Sequence, residues 1–326
     1  MRLAVVLGNL GGPDAPAAVE PFLFNLFNDP AIIGLPQPFR RLIAHLIASR
    51  RAPLAREIYA RIGGASPILA ETRAQADALE RMLAGKLAPG DSAKVFIAMR
   101  YWHPFVEDAA AAVRSWKPDY VVLLPLYPQF STTTTASFFD AWDKTTMGQD
   151  GRTARICCYP THQDFLAAHL SLLRPVLTEA EGKGAFRLLF SAHGLPKRVV
   201  AKGDPYAWQI EQTAQALATG LGLPDLDWRI CYQSRVGPMA WLEPSTLAEI
   251  RRAGSEGKGV VLAPIAFVSE HSETLVELDL EYGHIAQETG VPFYLRVPTL
   301  SSNASFIAAL AALAWMVLRD EPSTNV

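Results

Sequence analysis

Eight short apolar runs, rich in β-branched residues and separated by stretches of helical periodicity, constrain this chain more than any other feature. They fall at residues 3–7, 95–98, 120–126, 154–159, 187–190, 228–232, 260–267 and 293–297. In the third run Val121, Val122, Leu123 and Leu124 follow one another without a polar break. A strand with one wet face alternates apolar and polar residues, so an unbroken run suits a strand covered on both faces, as in a parallel sheet. Helical patterns over 67–87, 105–116, 163–177, 207–220 and 305–318 lie between the runs. This alternation predicts right-handed βαβ units and a doubly wound α/β fold. The strands divide four and four about the polar stretch 179–184. The expected domains are therefore 1–180 and 181–326: two similar halves, each a four-stranded parallel sheet flanked by helices, with a cleft between them.

Composition narrows the function classes. The chain has 326 residues, half of them hydrophobic, enough to bury a sizeable core. Lys plus Arg is 30 and Asp plus Glu is 32, a near-neutral balance without the basic footprint of a nucleic-acid binder. The three cysteines, Cys157, Cys158 and Cys231, contain no CxxC pair for a zinc or four-cysteine cluster, and read as reduced buried thiols. The apolar start at Leu3 is too short for a signal peptide, and no run is long enough to span a bilayer. A cytoplasmic protein is expected. Residues 22–47 stand apart, very apolar yet broken by Pro30, Pro36 and Pro38 before a short helix. They read either as core under a long connection or as a hydrophobic lip for a flat ligand or a membrane surface.

Polar and aromatic residues gather just after the strands, where open α/β sheets bind ligands. These segments are 8–13, 99–104, 125–134, 191–196, 232–238 and 268–273. Gly8, Gly11 and Gly12 do not make a dinucleotide fingerprint, and no phosphate-binding P-loop pattern occurs. His193 lies between Ala192 and Gly194, with room for a ligand to approach; it reads equally as a satisfied turn residue. His45, His162, His169 and His284 read as surface or packing residues, with His103 and His271 intermediate. Glu270, Glu273, Glu277, Asp279 and Glu281 form an acidic run. On an α-helix, steps of four leave Glu273, Glu277 and Glu281 roughly on one face, drifting by about 40° each. A π-type widening would align them better, and such widenings favour functional sites. The run reads as a solvated face or as a carboxylate ladder passing a divalent cation inward, where carboxylate and imidazole suit Fe²⁺.

With these residues in view, the chain resembles the ferrochelatases. The segment from Ser191 through His193 to Pro196 resembles their histidine motif. Gln233, Ser234, Arg235, Val236, Gly237 and Pro238, with Trp241 and Leu242 beyond, resemble their QS-[KR]-VGP-x-x-WL segment. Val268 to Asp279 is similar to their glutamate motif. Further matches run from Asn9 to Pro13, Tyr59 to Ile68, Met99 to Pro104 and Pro125 to Ser131, in family order. The resemblance implies two Rossmann-like halves with a porphyrin cleft between them, and insertion of Fe²⁺ into protoporphyrin IX in haem biosynthesis. It implies that His193 and Glu273 are the catalytic pair, and that His193, Glu273, Glu277 and Glu281 meet the metal. It places Leu10, Arg50, Arg51, Ser66, Arg100, Tyr101, Tyr127 and Trp241 against the porphyrin: aromatic rings on its faces and edge, Ser66 and the arginines near its propionates. The ring is expected to bind distorted, its nitrogen lone pairs turned toward the metal. Residues 23–47 match the family's lip, which points to a peripheral membrane contact. Iron is then substrate, and no tightly bound cofactor and no nucleic-acid partner is expected; the protein is read as a monomer.

Departures from the family pattern matter. No cysteine follows Cys231, and Thr132 and Thr133 follow Ser131, so the iron–sulfur cluster of some relatives is not expected. The VP-x-LN ending appears as Val297, Pro298, Thr299, Leu300 and Ser301, so the role of that Asn is open. Three alternatives stay open on sequence: coproporphyrin as the iron acceptor, cobalt insertion into a sirohydrochlorin-type ring, and a non-catalytic porphyrin or metal carrier.

Overall fold

All eight apolar runs form strands, each parallel to its neighbours. The structure is a computed structural model and describes residues 1–147, 152–235 and 239–319. Strands β1 (Arg2–Asn9), β2 (Ser92–Met99), β3 (Tyr120–Pro125) and β4 (Arg152–Arg155) form one sheet in the order β2-β1-β3-β4. Strands β5 (Phe186–His193), β6 (Trp228–Gln233), β7 (Gly259–Pro264) and β8 (Tyr294–Arg296) form the other, ordered β6-β5-β7-β8. The two orders are the same permutation, so the halves repeat one topology. In each, strand order reverses beside the first strand, which places a switch point at β1/β3 and at β5/β7.

The helices are α1 (Val19–Phe27), α2 (Phe39–Ala60), α3 (Ile68–Ala84), α4 (Val106–Trp116), α5 (Thr135–Thr146), α6 (Gln163–Glu181), α7 (Lys197–Val200), α8 (Tyr206–Leu221), α9 (Thr246–Ser255), α10 (Tyr282–Glu288) and α11 (Ala304–Arg319). A π-helix spans Glu273–Glu281. In the first unit, α4 and α5 cover one sheet face, packing Val106, Val113, Phe138 and Trp142 on Ala4, Val6, Val121 and Leu123. In the second, α6 and α8 cover one face through Leu173, Leu177, Ile210 and Leu217. The opposite face carries α9, α10 and the π-helix, with Ile250, Leu278 and Ala286 on Leu189 and Leu262. Each fully buried side chain of this kind contributes about 1.5–3 kcal/mol.

Four expectations shift. The chain divides into Met1–Cys158 with Ile307–Val326, and Tyr159–Phe306. The boundary expected at residue 180 falls at the end of α6, whose Leu173, Leu177 and Ala180 belong to the core of the second sheet. The short helix expected after the Pro-broken stretch is α2, 22 residues long with Pro53 inside it. Strand β4 begins before its apolar run: it is an edge strand, half-exposed, so Arg152 and Thr153 pair with Tyr120 and Val121 at little cost. Of the cysteines only Cys231 is buried; Cys157 is exposed and Cys158 intermediate.

Candidate active site

Side chains of a strand alternate between faces, so Leu189, Ser191 and His193 of β5 share the face that carries α9 and the π-helix. His193 ends the strand, in register with Gln233 of β6. Its Nδ1 lies 2.6 Å from the carbonyl oxygen of Gly194. A carbonyl only accepts, so Nδ1 carries the hydrogen and the neutral ring keeps its lone pair on Nε2. Nε2 is 3.6 Å from Oε2 of Glu273, at the start of the π-helix. The Tyr206 hydroxyl donates to the His193 carbonyl at 3.2 Å, fixing the strand end. Gly194 is required by space: a Cβ there would stand 2.7 Å from the Gln233 carbonyl oxygen and 3.3 Å from the Trp241 ring.

The acidic run lies on a π-helix, the widening that would bring its glutamates closer to one line than a regular α-helix does. It is held from β8, where the Tyr294 hydroxyl donates to the Leu278 carbonyl at 2.7 Å and Arg296 pairs with Asp279 and Glu270. Ser234, just past β6, ties two of the glutamates together. Its hydroxyl lies 2.9 Å from Glu273 Oε2 and 2.5 Å from Glu277 Oε2, and its N–H donates to Glu277 Oε1 at 2.9 Å. Its backbone is left-handed (φ 60°), a cost borne by few residues other than glycine, and the turn presents both donors to one carboxylate. The Tyr282 hydroxyl completes the shell of Glu277 at 2.6 Å. The two carboxyls differ in proton affinity. Burial would raise Glu273, but His193, His271 and the Ser234 hydroxyl outweigh it and hold the group below the usual glutamate value. Burial and the Glu273 charge raise Glu277 above it.

The four residues expected to meet the metal therefore do not form one coordination shell. Glu277 is committed to Ser234 and Tyr282, and Glu281 is exposed. Among the described residues no three His, Cys, Asp or Glu side chains converge as a metal centre. Trp241 bridges to Pro196 at the end of the His193 motif with its ring against Gly194, and its buried Nε1 has no hydrogen-bond partner among the described residues. Val236, Gly237 and Pro238 lie outside the described residues.

The remaining expected porphyrin residues belong to the first unit, at or beyond the carboxyl ends of β1, β2 and β3. Leu10 and Arg100 follow β1 and β2, joined by backbone bonds from Arg100 N to Asn9 O and from Tyr101 N to Leu10 O. Ser66 is drawn to β1 by its N–H on the Pro13 carbonyl, and a Cβ on Gly12 would meet its side chain at 2.6 Å. Tyr127 follows β3, half-buried, its phenol pushed up by burial. Tyr101 departs from expectation: it is 2% exposed and its hydroxyl donates to Asp29, so its ring is wall rather than an open stacking face. Arg100 is pinned by Asp29 and Ser137. On α2, Arg51 stacks on Phe27 and Arg50 is exposed. The lip between α1 and α2 exposes Leu35, Phe39, Leu42 and Leu46, and a cleft of about 510 Å³ there is lined by Phe24, Pro38, Arg41, Leu42 and His45.

Sequence reasoning passed over Asp29, Ser137 and Tyr282, and met Ser234 only as part of a motif, without a role. Asp29 had a signal, a lone carboxylate inside the apolar 22–47 stretch; Ser137 and Tyr282 had none. His169 and His284 lie as expected, the first buried against Phe165 and lowered to about 3 by burial, the second exposed beside Glu288.

A family model described as Ferrochelatase matches residues 2–317. The ferrochelatase of Caulobacter vibrioides (strain NA1000 / CB15N) is 56% identical over 310 residues, covering 95% of this chain and 88% of the relative. That of Wolbachia sp. subsp. Brugia malayi (strain TRS) is 49% identical over 338 residues, covering 96% and 98%. Among solved structures, SirB from Bacillus subtilis with Fe3+ matches at a TM-score of 0.53 and 10% identity over 98% of this chain and 95% of its own. The sirohydrochlorin chelatase SirB from Bacillus subtilis subspecies spizizenii, in complex with cobalt, matches at 0.56 and 10% over 98% and 97%. At that identity the two structures speak for the fold alone. The family model and the full-length relatives speak for more: the chain belongs to the ferrochelatase family.

Proposed function

We propose that this chain inserts Fe²⁺ into protoporphyrin IX, forming protohaem and releasing the two pyrrole protons. The observation that carries this reading is the pairing of His193 and Glu273: an imidazole whose Nε2 is its only free nitrogen, 3.6 Å from a carboxylate held ionised. Metallation removes two N–H protons from the ring, and imidazole is the side chain that exchanges protons near neutrality. His193 accepts a pyrrole proton at Nε2, and the Glu273 carboxylate beside it stabilises the imidazolium that forms. Glu281 at the surface and Glu273 beside His193 supply oxygen ligands for the hydrated cation, which is substrate rather than resident cofactor, and Glu277 joins them where the cation displaces Ser234 or Tyr282 from its carboxylate. Trp241 and Tyr127 pack against the macrocycle, with Leu10 as an apolar contact. Arg100, Ser66, Arg50 and Arg51 meet its propionates.

The apolar lip supports a peripheral membrane contact. Phe39, Leu42 and Leu46 recur at helical spacing on α2 and are 64, 70 and 48% exposed. No helix among the described residues is long and apolar enough to cross a membrane; the contact proposed here is the apolar face of α2 lying in the membrane surface.

The test is anaerobic incubation with Fe²⁺ and either protoporphyrin IX or coproporphyrin III, followed by absorbance of the metallated ring, with His193→Ala and Glu273→Gln alongside. The expected result is turnover of protoporphyrin that His193→Ala abolishes while porphyrin still binds. Preference for coproporphyrin would replace the substrate. Tight porphyrin binding without insertion of Fe²⁺ or Zn²⁺, where a control ferrochelatase works, would make the chain a carrier.

A further inference from the structure

Asp29 is a carboxylate in the wrong company for its sequence neighbourhood. It begins the connection between α1 and α2, yet its side chain is 2% exposed. Four donors converge on it. Oδ1 accepts from the Ala31 N–H at 2.8 Å. Oδ2 accepts from the Tyr101 hydroxyl at 2.8 Å, the Ser137 hydroxyl at 2.5 Å and Arg100 Nη2 at 2.8 Å. Ser137 in turn accepts from Arg100 Nε at 2.8 Å, and the guanidinium lies over the Tyr101 ring, 5.1 Å from its centroid. The Arg100 guanidinium is thus fixed at two of its nitrogens and on one face. No described residue accepts from Nη1, the nitrogen left over.

An unrestrained arginine loses rotamer entropy to any partner it binds, and a planar fork selects by direction only when its plane is set. Here the plane is set from behind. The charge of Asp29 also offsets that of Arg100, so the pair recognises an anion by aimed N–H groups more than by net charge.

We infer that Asp29 is a positioning residue for the porphyrin carboxylate: through Ser137 and Tyr101 it holds Arg100 so that the Nη1 edge alone is presented to a propionate. The inference rests on the proposed contact between Arg100 and a propionate. It assigns Tyr101 to the same frame, in place of a stacking role. Burial and the Asp29 charge raise the Tyr101 phenol well above its usual range, so it stays a donor.

The test compares protoporphyrin IX with etioporphyrin, an all-alkyl ring without carboxylates. Binding is read by fluorescence quenching and insertion by single-turnover metallation with Zn²⁺. Asp29→Asn keeps the shape of the side chain and removes its charge. It is expected to weaken protoporphyrin binding about tenfold, the lower end of what a lost charged hydrogen bond costs. Etioporphyrin should bind and metallate within about twofold of the parent, since no charged bond is lost there. Arg100→Ala should show the same selectivity with a larger loss, and Asp29→Asn should add nothing in its background. If Arg100→Ala affects both porphyrins alike, the proposed propionate contact fails. If Arg100→Ala is selective and a folded Asp29→Asn is not, the positioning role of Asp29 is overturned. Should Asp29→Asn not fold, Ser137→Ala decides: it keeps the ion pair and frees Nε, and a carboxylate-selective loss supports the role while an unselective or absent one sinks it.

Discussion

Replacing Gly194 with alanine tests whether close approach of backbones at the end of β5 builds the His193 site. Gly194 is not among the glycines with a left-handed backbone, so alanine meets no conformational penalty there. The obstacle is space. The new methyl would stand 2.7 Å from the Gln233 carbonyl oxygen, a backbone atom that cannot swing away, and 3.3 Å from the Trp241 ring. Relief requires β5 and β6 to part, which stretches the Gly194 N–H bond to that same Gln233 carbonyl, now 2.8 Å. Overpacking costs about 1–3 kcal/mol and a weakened hydrogen bond about 1 kcal/mol, so the expected loss is about 2–4 kcal/mol. At roughly 2–4 °C per kcal/mol, the melting temperature should fall by about 5–15 °C. Function should suffer even in the folded fraction, because the Gly194 carbonyl that orients His193 Nδ1 moves with the methyl. The assay is differential scanning calorimetry beside single-turnover metallation well below the new midpoint. A variant that melts within a degree of the parent and metallates at the parental rate would refute the reasoning.

Two further outcomes follow from other parts of the molecule. Arg187 is 2% exposed and reaches Asp227 at 2.9 Å and Glu256 at 2.8 Å; Arg187→Met should destabilise by roughly 2 kcal/mol at pH 7, the worth of a lost charged hydrogen bond. Asp227 is held low because Arg187 and Lys258 outweigh its burial, and Glu256 is held at about 2 by Arg187, Arg252 and Lys258. Carboxyls depressed in the folded state stabilise above their unfolded values and lose that contribution as pH falls. The gap between parent and variant in urea melts should therefore be full above about pH 5, shrink as pH falls below that, and close only toward about pH 2, where Glu256 takes its proton in the folded state; a gap that widened in acid would contradict the assignment. On the lip, Leu42→Glu should reduce sedimentation with anionic vesicles by about tenfold, as expected for one buried leucine, and leave the melting temperature unchanged because Leu42 is 70% exposed. Undiminished vesicle binding would remove the lip from the membrane.

What was legible in the sequence was whatever depends on local pattern. Continuous β-branched runs reflect burial on both faces, so all eight strands and the parallel class could be read directly. The edge strands were least well bounded, since β4 has one side unpaired and its polar residues do not betray it. His193 was legible as a strand-end residue between small neighbours, and the carboxylate spacing put Glu273 and Glu277 on one helix, though only the structure decided that this helix is widened.

Tertiary structure decided everything that joins residues far apart in the chain. Ser234 lies 43 residues from Glu277, and Asp29 lies 108 from Ser137. No periodicity records such pairs, because side-chain hydrogen bonds form where strand ends and helix starts are brought together, and that follows from strand order rather than from local propensity. The same holds for Tyr101. Its type and position marked it as an aromatic beside a ligand; only the buried carboxylate of Asp29, placed against it by the fold, turns its hydroxyl inward and makes it part of the frame.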